Sequence, residues 1–276
     1  MALRTLMAVH AHPDDEVIST GGALARYAGE GVQTVVVTCT DGSQGFGPVG
    51  VLPGEPGHDL DVVAATRREE LDRSCSLLGV RHLEVLHYRD SGMAGWAGND
   101  SPDAFCNMPV EQAASALGAL IERYQPQVVV TYDAYGGYGH PDHIQTHRVV
   151  MAALEETTVP AKVYFTARSR SSARRMADLR QQLQLPPRRR PAGLADSPQP
   201  ALAGISDSDI TTIIDATAVV DRKRAALAAH ASQLADTVWV QVSDADFADL
   251  FGRESFRRVR DRTNTALPEA DLFAGL

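Results

Sequence analysis

Two short clusters of histidine and aspartate hold the side chains of this chain that are best suited to chemistry. The first is HPDDE at residues 12–16, and the second is YGHPDH at residues 138–143. Carboxylates placed close together repel one another, and a bound divalent cation offsets this repulsion. Imidazole and carboxylate are both good zinc ligands, and three protein ligands with one open position are typical of catalytic zinc. The two clusters together predict a metal centre.

Each cluster also has a purely structural interpretation. Asp14 or Asp15 could cap a helix, with Glu16 in its first turn. The glycines around His140 could form a turn whose histidines merely cap the next helix. Two metal-suited clusters are nevertheless a stronger signal than either one alone. If the two clusters bind a metal, Asp142 could orient an imidazole without itself binding the metal, because metal-bound histidines usually require such a partner.

The segments around the clusters alternate between strand-like and helix-like patterns. We predict strands at residues 3–10, 33–40, 82–86, 127–132, 162–167 and 210–215, and helices at residues 21–31, 62–78, 110–123, 140–155, 168–185 and 216–234. This alternation is typical of βαβ units. The expected fold class is therefore α/β, a Rossmann-like and mostly parallel sheet with helices on both faces. Ligands bind at the carboxyl ends of the strands in such a sheet, and each cluster follows a predicted strand.

The same pattern divides the chain into two parts. Residues 1–166 are expected to form a Rossmann-like catalytic body that binds the metal. Residues 167–276 are expected to form a smaller C-terminal segment that packs on this body and shapes the pocket, within one integrated domain. Residues 186–200 are rich in proline and arginine. We interpret them as a surface loop, with an anion-binding patch as the alternative. The residues after 234 are expected to be irregular.

Length and composition limit the class of protein. The chain has 276 residues, of which 44% are hydrophobic and 22% charged, as is ordinary for a globular protein. The net charge of −9 argues against a nucleic-acid or acidic-membrane partner. No apolar run approaches the roughly 20 residues of a membrane helix, and three widely spaced cysteines indicate a reducing cytoplasm. We therefore expect a cytoplasmic protein with a small-molecule partner, and a homo-oligomer is possible.

The two clusters resemble the signature motifs of a known family. AHPDDE at residues 11–16 and HPDH at residues 140–143 are similar to motifs of the LmbE-like deacetylases, relatives of the N-acetylglucosaminylphosphatidylinositol de-N-acetylases (PIG-L). Within this family, the mycothiol-biosynthesis branch is similar at VVVTCT, RDSGMAG, VVVTYDAYGGYGHPDH, AALAAHASQ and DLFAGL. The match is poorest at residues 168–209.

The resemblance implies a metal site and a general base. His12, Asp15 and His143 match the residues that hold zinc in the family, and iron(II) is a possible replacement. Asp14 matches the general base that activates water. The implied enzyme is a metal-dependent hydrolase that acts on a linear amide C–N bond.

The resemblance also implies roles around that metal site. His140 matches the residue that steadies the developing oxyanion, and Tyr138 matches a tyrosine that assists it. Asp142 matches the partner that tunes the histidine. Arg67 and Asp90 match positions that contact the sugar of the substrate.

These roles predict a zinc-dependent deacetylase that acts on an N-acetylglucosaminyl substrate such as N-acetylglucosaminyl-inositol. Two alternatives lie within the family, namely a mycothiol S-conjugate amidase and a deacetylase that tailors a natural product. Outside it, two histidines and one carboxylate could form an iron(II) oxygenase triad, and a non-enzymatic sugar-binding module is a third class. Residues 45–60 and 186–200 depart from the mycothiol deacetylase pattern, and both are expected to border the pocket.

Overall fold

The computed structural model describes residues 3–155, 157–185, 204–234 and 237–276. Within these residues, all named strands belong to one sheet. The strands are β1 (Thr5–His10), β2 (Gln33–Thr40), β3 (His82–Tyr88), β4 (Val128–Thr131), β5 (Lys162–Ala167), β6 (Thr212–Asp215) and β7 (Arg253–Asp261). The helices are α1 (Asp15–Gly29), α2 (Leu60–Leu78), α3 (Val110–Tyr124), α4 (Pro141–Glu155), α5 (Arg170–Gln182), α6 (Val220–Ala229), α7 (Ala231–Leu234), α8 (Val238–Gln241) and α9 (Asp244–Phe251). Among these helices, none combines the length and the hydropathy required to traverse a bilayer.

The sheet has the strand order β3-β2-β1-β4-β5-β7-β6. The first five strands in this order are parallel, and β7 is antiparallel to both β5 and β6. Helices cover both faces of β1, since Leu6 and Ala8 face a core with α1, α2 and α6 whereas Met7 and Val9 face a second core with α3 and α4. A strand buried on both faces needs a continuous apolar run. The predicted fold class is confirmed.

The C-terminal part differs from the prediction. The single helix expected at residues 216–234 is two helices, α6 and α7, separated at His230. The expectation that residues after 234 are irregular is wrong, because α9 and the nine-residue strand β7 lie there. The inward positions of β7 include Glu254 and Arg258, which pair with Lys223 and Glu269. Charged residues at buried positions hide the apolar alternation by which a strand is recognised.

The C-terminal strands β6 and β7 extend the sheet that β1 to β5 begin. The division of the chain at residue 166 stays a prediction. The loop expected at residues 186–200 lies outside the described residues.

A buried ion pair connects this C-terminal part to α1. Glu254 on β7 accepts the N–H groups of Gly22 and Ala23 at 2.7 and 2.8 Å, in the middle of the helix. Lys223 on α6 pairs with Glu254 at 2.7 Å and also donates to the carbonyl of Ile18 at 3.4 Å. A Cβ at position 22 would lie 2.6 Å from the Cβ of Ala216, so only glycine permits this approach. The pair therefore fixes the helix that begins at the first histidine–aspartate cluster.

Lys223→Met is expected to lower the free energy of unfolding by about 3–5 kcal/mol, because it leaves the buried carboxylate of Glu254 without its counter-charge. Methionine preserves the apolar stem, so the loss reports the charge. Urea denaturation at pH 7 measures it. The matched control is Arg68→Met in the exposed pair with Asp72, where a loss below about 1 kcal/mol is expected. Equal losses in the two variants would contradict a stabilising role for the buried pair.

Candidate metal centre and active site

Three loops meet at the carboxyl edge of the sheet, and each follows a parallel strand. The loop after β1 carries the first cluster, and the loop after β4 carries the second. Because β1 and β4 are neighbours in the sheet, the two clusters converge. The loop after β3 brings Asp90 and Ser91 to the same place, where Asp90 Oδ1 lies 3.5 Å from His12 Nε2. Strand ends at one edge of the sheet thus assemble residues that are distant in sequence.

His12, Asp15 and His143 form a tight triangle of potential ligand atoms. His12 Nδ1 lies 3.2 Å from Asp15 Oδ2, and His143 Nε2 lies 3.2 Å from each of these two atoms. All three residues are buried. Zinc bonds of about 2.0–2.1 Å in a tetrahedron place ligand atoms roughly 3.3 Å apart. The triangle has the dimensions of three corners of a zinc site.

The hydrogen bonds of the two imidazoles leave the correct nitrogen free for a metal. His12 Nε2 lies 3.2 Å from Asp142 Oδ2, and His143 Nδ1 lies 3.1 Å from the carbonyl of Gly136. Both partners are acceptors, so each ring proton lies on the nitrogen outside the triangle. Gly136 has a φ of 65°, and a Cβ there would lie 2.5 Å from His143 Cβ. The glycine turn therefore orients His143 through its own carbonyl.

Buried carboxylates surround His12. Asp142 is fully buried and accepts the backbone N–H of Ser91 at 2.8 Å and also its hydroxyl. Burial opposes a charge on His12, but Asp90, Asp142 and Asp15 together raise its pKa well above 6.5. So much buried negative charge attracts a cation, and the imidazole and carboxylate donors match those that zinc prefers. The residues present fit a divalent metal.

Asp14 occupies the boundary between the triangle and solvent. Its side chain is 18% exposed, against 10% for Asp15, 4% for Asp90 and none for Asp142. It has the backbone angles φ 115° and ψ −24°, which are uncommon for any residue other than glycine. Burial raises the pKa of Asp14 from 3.8 to about 6, against the opposing charge of Arg67. A reachable carboxylate of this kind is suited to accept a proton near neutral pH.

His140 and Tyr138 lie beside the triangle. The backbone N–H of Asp142 donates to His140 Nδ1 at 3.1 Å, so the proton of neutral His140 lies on Nε2. Burial, with the charges of His12 and His143, holds the pKa of His140 well below 6.5. Tyr138 is half-buried, with its ring edge-on to His143 at 4.9 Å and to His140 at 6.1 Å. His140 is thus a neutral hydrogen-bond donor.

A looser grouping widens the cluster around His12. His12, His140 and His143 each place a ligand atom within 4.8 Å of the others, and so do the four residues His12, Asp90, His140 and Asp142. In the triangle with Asp15 all three separations are 3.2 Å, close to the roughly 3.3 Å edge of a zinc tetrahedron. His12 Nε2, which faces Asp90 and Asp142, is the nitrogen that lies outside this triangle.

Arg67 and Asp90, the two residues matched to sugar contacts, are both buried. Arg67 donates to the carbonyl of Gly42 at 2.7 Å, to the carbonyl of Pro13, and to Asp14 Oδ2 at 3.1 Å. Asp90 accepts the backbone N–H of Gly92 at 2.8 Å and lies 3.9 Å from Arg67. The structure thus brings them to Asp14 and His12, and their contact with a sugar stays a prediction.

Sequence reasoning overlooked several residues that hold the site. Tyr132, directly after β4, stacks on the ring of His143 at 4.2 Å, and its hydroxyl accepts the N–H of Ala11 at 3.0 Å. Ser91 anchors Asp142 as described above. Glu16 was interpreted as part of a helix cap and His230 had no assigned context, yet the two are paired at 2.8 Å in the interior. Their membership in the motifs AHPDDE and AALAAHASQ was the available signal.

A family model decides the relationship of this chain to known proteins. The model of the PIG-L family, described as GlcNAc-PI de-N-acetylase, matches residues 7–154, which is more than half of the chain. This chain belongs to the PIG-L family. The resemblance of the two motifs is confirmed. All the predicted site residues lie within the matched range, whereas His230 lies beyond it.

Individual relatives agree with the family assignment. The 1D-myo-inositol 2-acetamido-2-deoxy-alpha-D-glucopyranoside deacetylase of Acidothermus cellulolyticus is 41% identical over 295 residues, covering 99% of this chain and 96% of the relative. Among solved structures, the N,N'-diacetylchitobiose deacetylase of Pyrococcus horikoshii has a TM-score of 0.61 at 20% identity, covering 94% of this chain and 84% of that one. The 4-carboxy-2-hydroxymuconate hydratase GalB of Pseudomonas putida has a TM-score of 0.58 at 20% identity, covering 96% and 100%. A deacetylase and a hydratase share this architecture, so the two structural likenesses show the fold alone.

Proposed function

We propose that this chain is a zinc-dependent deacetylase that hydrolyses the N-acetyl group of N-acetylglucosaminyl-inositol. The observation that carries the proposal is the 3.2 Å triangle of His12, Asp15 and His143 with the carboxylate of Asp14 beside it. The name of the Acidothermus relative supports the substrate. Iron(II) accepts the same donor set and is the alternative metal.

Asp14 is the general base of the proposed reaction. A zinc ion held by the triangle would acidify water and polarise the acetyl carbonyl. The carboxylate of Asp14 accepts the proton of the attacking water as the water oxygen bonds to the acetyl carbon. Arg67 donates to Asp14 Oδ2 at 3.1 Å, which leaves the other carboxylate oxygen for that proton. General-base catalysis of this kind contributes about 10²–10⁴-fold to a rate.

His140 stabilises the negative charge that develops on the acetyl oxygen. Its Nε2 carries the proton because Nδ1 accepts the N–H of Asp142, so Nε2 donates to the oxyanion without giving its proton away. The Tyr138 hydroxyl is the second donor. The C–N bond then breaks as the amine nitrogen takes the proton held by Asp14. The products are acetate and a free primary amine.

The test of this proposal is an amine-release assay with four substrates, namely N-acetylglucosaminyl-inositol, N-acetylglucosamine, diacetylchitobiose and a mycothiol S-conjugate. We expect acetate and primary amine in equal amounts, with the highest kcat/KM for N-acetylglucosaminyl-inositol. Turnover of the conjugate alone would assign the chain as an amidase instead. Oxygen uptake with a 2-oxo acid and no amine would assign an oxygenase, and sugar binding without any product would assign a binding module.

Metal removal is expected to abolish amine release. The purified protein should contain about one divalent ion per chain, since three protein ligands and one open position form a catalytic zinc site. Elemental analysis measures the content, and activity is assayed after dialysis against a chelator. Zinc added back in an equimolar amount should restore turnover, whereas magnesium, which prefers oxygen ligands, should not. Full activity of the metal-free protein would contradict the proposal.

The location of the protein is a separate proposal. Cys39, Cys75 and Cys106 are all free thiols. Reduced cysteines are typical of cytoplasmic proteins, and we propose that this enzyme acts in the cytoplasm. Homo-oligomer formation stays a prediction.

A further inference from the structure

The backbone of Asp14 is held in its left-handed conformation by the residue two positions later. A non-glycine residue in a sparsely populated backbone region is strained, and it persists there only where the surroundings enforce it. The N–H of Asp14 donates to Glu16 Oε2 at 2.9 Å, and its carbonyl accepts the N–H of Ile18 at 3.1 Å. The first of these bonds depends on the position of the Glu16 side chain.

Glu16 is itself fixed by donors from two distant elements. Its side chain is fully buried, and Oε1 accepts Ser74 Oγ from α2 at 2.6 Å and His230 Nε2 at 2.8 Å. Each carboxylate oxygen therefore has a partner, and both oxygens are held at once. A buried, charge-assisted arrangement of this kind has little freedom to move.

His230 reaches this carboxylate from the end of α6, 214 residues away in sequence. It is fully buried, and its Nδ1 has no hydrogen-bond partner among the residues that the structure describes. A buried imidazole with one unpaired nitrogen is costly. The bond to Glu16 is what His230 contributes to the neighbourhood of the site.

We propose that Glu16 and His230 are positioning residues, which hold the strained backbone of Asp14 and so aim its carboxylate at the reacting water. This inference rests on the proposed function for the role of Asp14. The C-terminal part of the chain, which lies beyond the family match, thus acts on the catalytic base through Glu16.

His230→Ala is expected to lower kcat by about tenfold to a hundredfold, the effect of a misplaced catalytic group, with KM and metal content unchanged. His230→Gln places an amide donor near the position of Nε2 and is expected to recover most of kcat. The matched control is Leu227→Ala on α6, the helix at whose end His230 lies. This change leaves a cavity beside the helix and should lower the free energy of unfolding without changing kcat. A fall in kcat for Leu227→Ala equal to that for His230→Ala would overturn the proposal.

A double-mutant cycle separates positioning from a general structural role. Residues that act as one unit have non-additive effects, so His230→Ala should have little further effect on the residual rate of Asp14→Asn. A full additional loss in that background would overturn the proposal. If His230→Ala does not fold, Ser74→Ala removes another donor to Glu16 and carries the same cycle, with a smaller loss expected.

A crystal structure of the His230→Ala or Ser74→Ala variant provides a readout that does not depend on activity. The φ of Asp14 should leave the positive region, and the 3.1 Å contact between Asp14 Oδ2 and Arg67 Nη2 should be lost. An unchanged Asp14 conformation in the variant would overturn the inference even if the wild-type protein releases amine. Conversely, wild-type protein without amine release would contradict the proposed function, while the change in Asp14 conformation would still support the positioning role.

Discussion

Asp14→Asn is expected to lower kcat by about 10²–10⁴-fold while the metal content stays at the wild-type level. Asparagine has nearly the same shape, and its amide oxygen can still accept from Arg67, but a neutral amide cannot accept the proton of water. The triangle of His12, Asp15 and His143 does not include Asp14, so its three ligand atoms are unchanged. Steady-state amine release and elemental analysis of the same preparation measure the two quantities.

Near-normal turnover by Asp14→Asn would mean that the general base is another residue, and His140 is the first residue to test. We expect this alternative to fail, because the pKa of His140 is low and both of its ring nitrogens are engaged. Its Nδ1 accepts the N–H of Asp142, and its Nε2 carries the ring proton. Asp14→Glu is the useful companion variant, because it preserves the charge and changes only the reach of the carboxylate.

Asp15→Ala is expected to lose both the metal and the activity. Asp15 Oδ2 lies on two of the three 3.2 Å edges of the triangle, and it also accepts the N–H of His12 at 2.9 Å. Its removal leaves two histidines, which is fewer than the three protein ligands of a catalytic zinc site. Elemental analysis and amine release are again the measurements. We expect less than about a tenth of the wild-type metal after dialysis, in line with the 10–100-fold affinity losses that even outer-shell changes produce.

The two adjacent aspartates control for each other. They differ by one position in sequence and share their chemistry, so a non-specific effect of removing charge would appear in both variants. Loss of metal in Asp14→Asn together with retention in Asp15→Ala would mean that the two roles are exchanged. A thermal unfolding curve for each variant shows whether any loss of metal reflects a loss of the fold.

The amino-acid sequence by itself was sufficient to predict the fold class and the convergence of the two histidine–aspartate motifs. Apolar runs such as QTVVVTCT predict strands buried on both faces, because no polar face is left for solvent. The motifs HPDDE and HPDH each follow such a strand. Since parallel strands end at one edge of a sheet, local sequence order was enough to predict that these motifs meet.

The tertiary structure alone decided which atoms face one another. Sequence spacing left open which imidazole Asp142 orients, and the structure pairs it with His12, 130 positions away. The left-handed backbone of Asp14 and the bond between Glu16 and His230 were likewise not predictable. Hydrogen bonds are short and directional, so their partners depend on how separate loops and helices pack together.

The strand β7 shows the same limit in the fold itself. Hydrophobic periodicity detects a strand through its apolar face, and β7 instead presents Glu254 and Arg258 to the interior. These charges are stable there because Lys223 pairs with Glu254, and Glu269, together with Asp261 of β7 itself, pairs with Arg258. Local sequence patterns detect apolar residues, which are stable in the interior without a specific partner. A buried charge is stable only beside a partner that the folded chain brings to it.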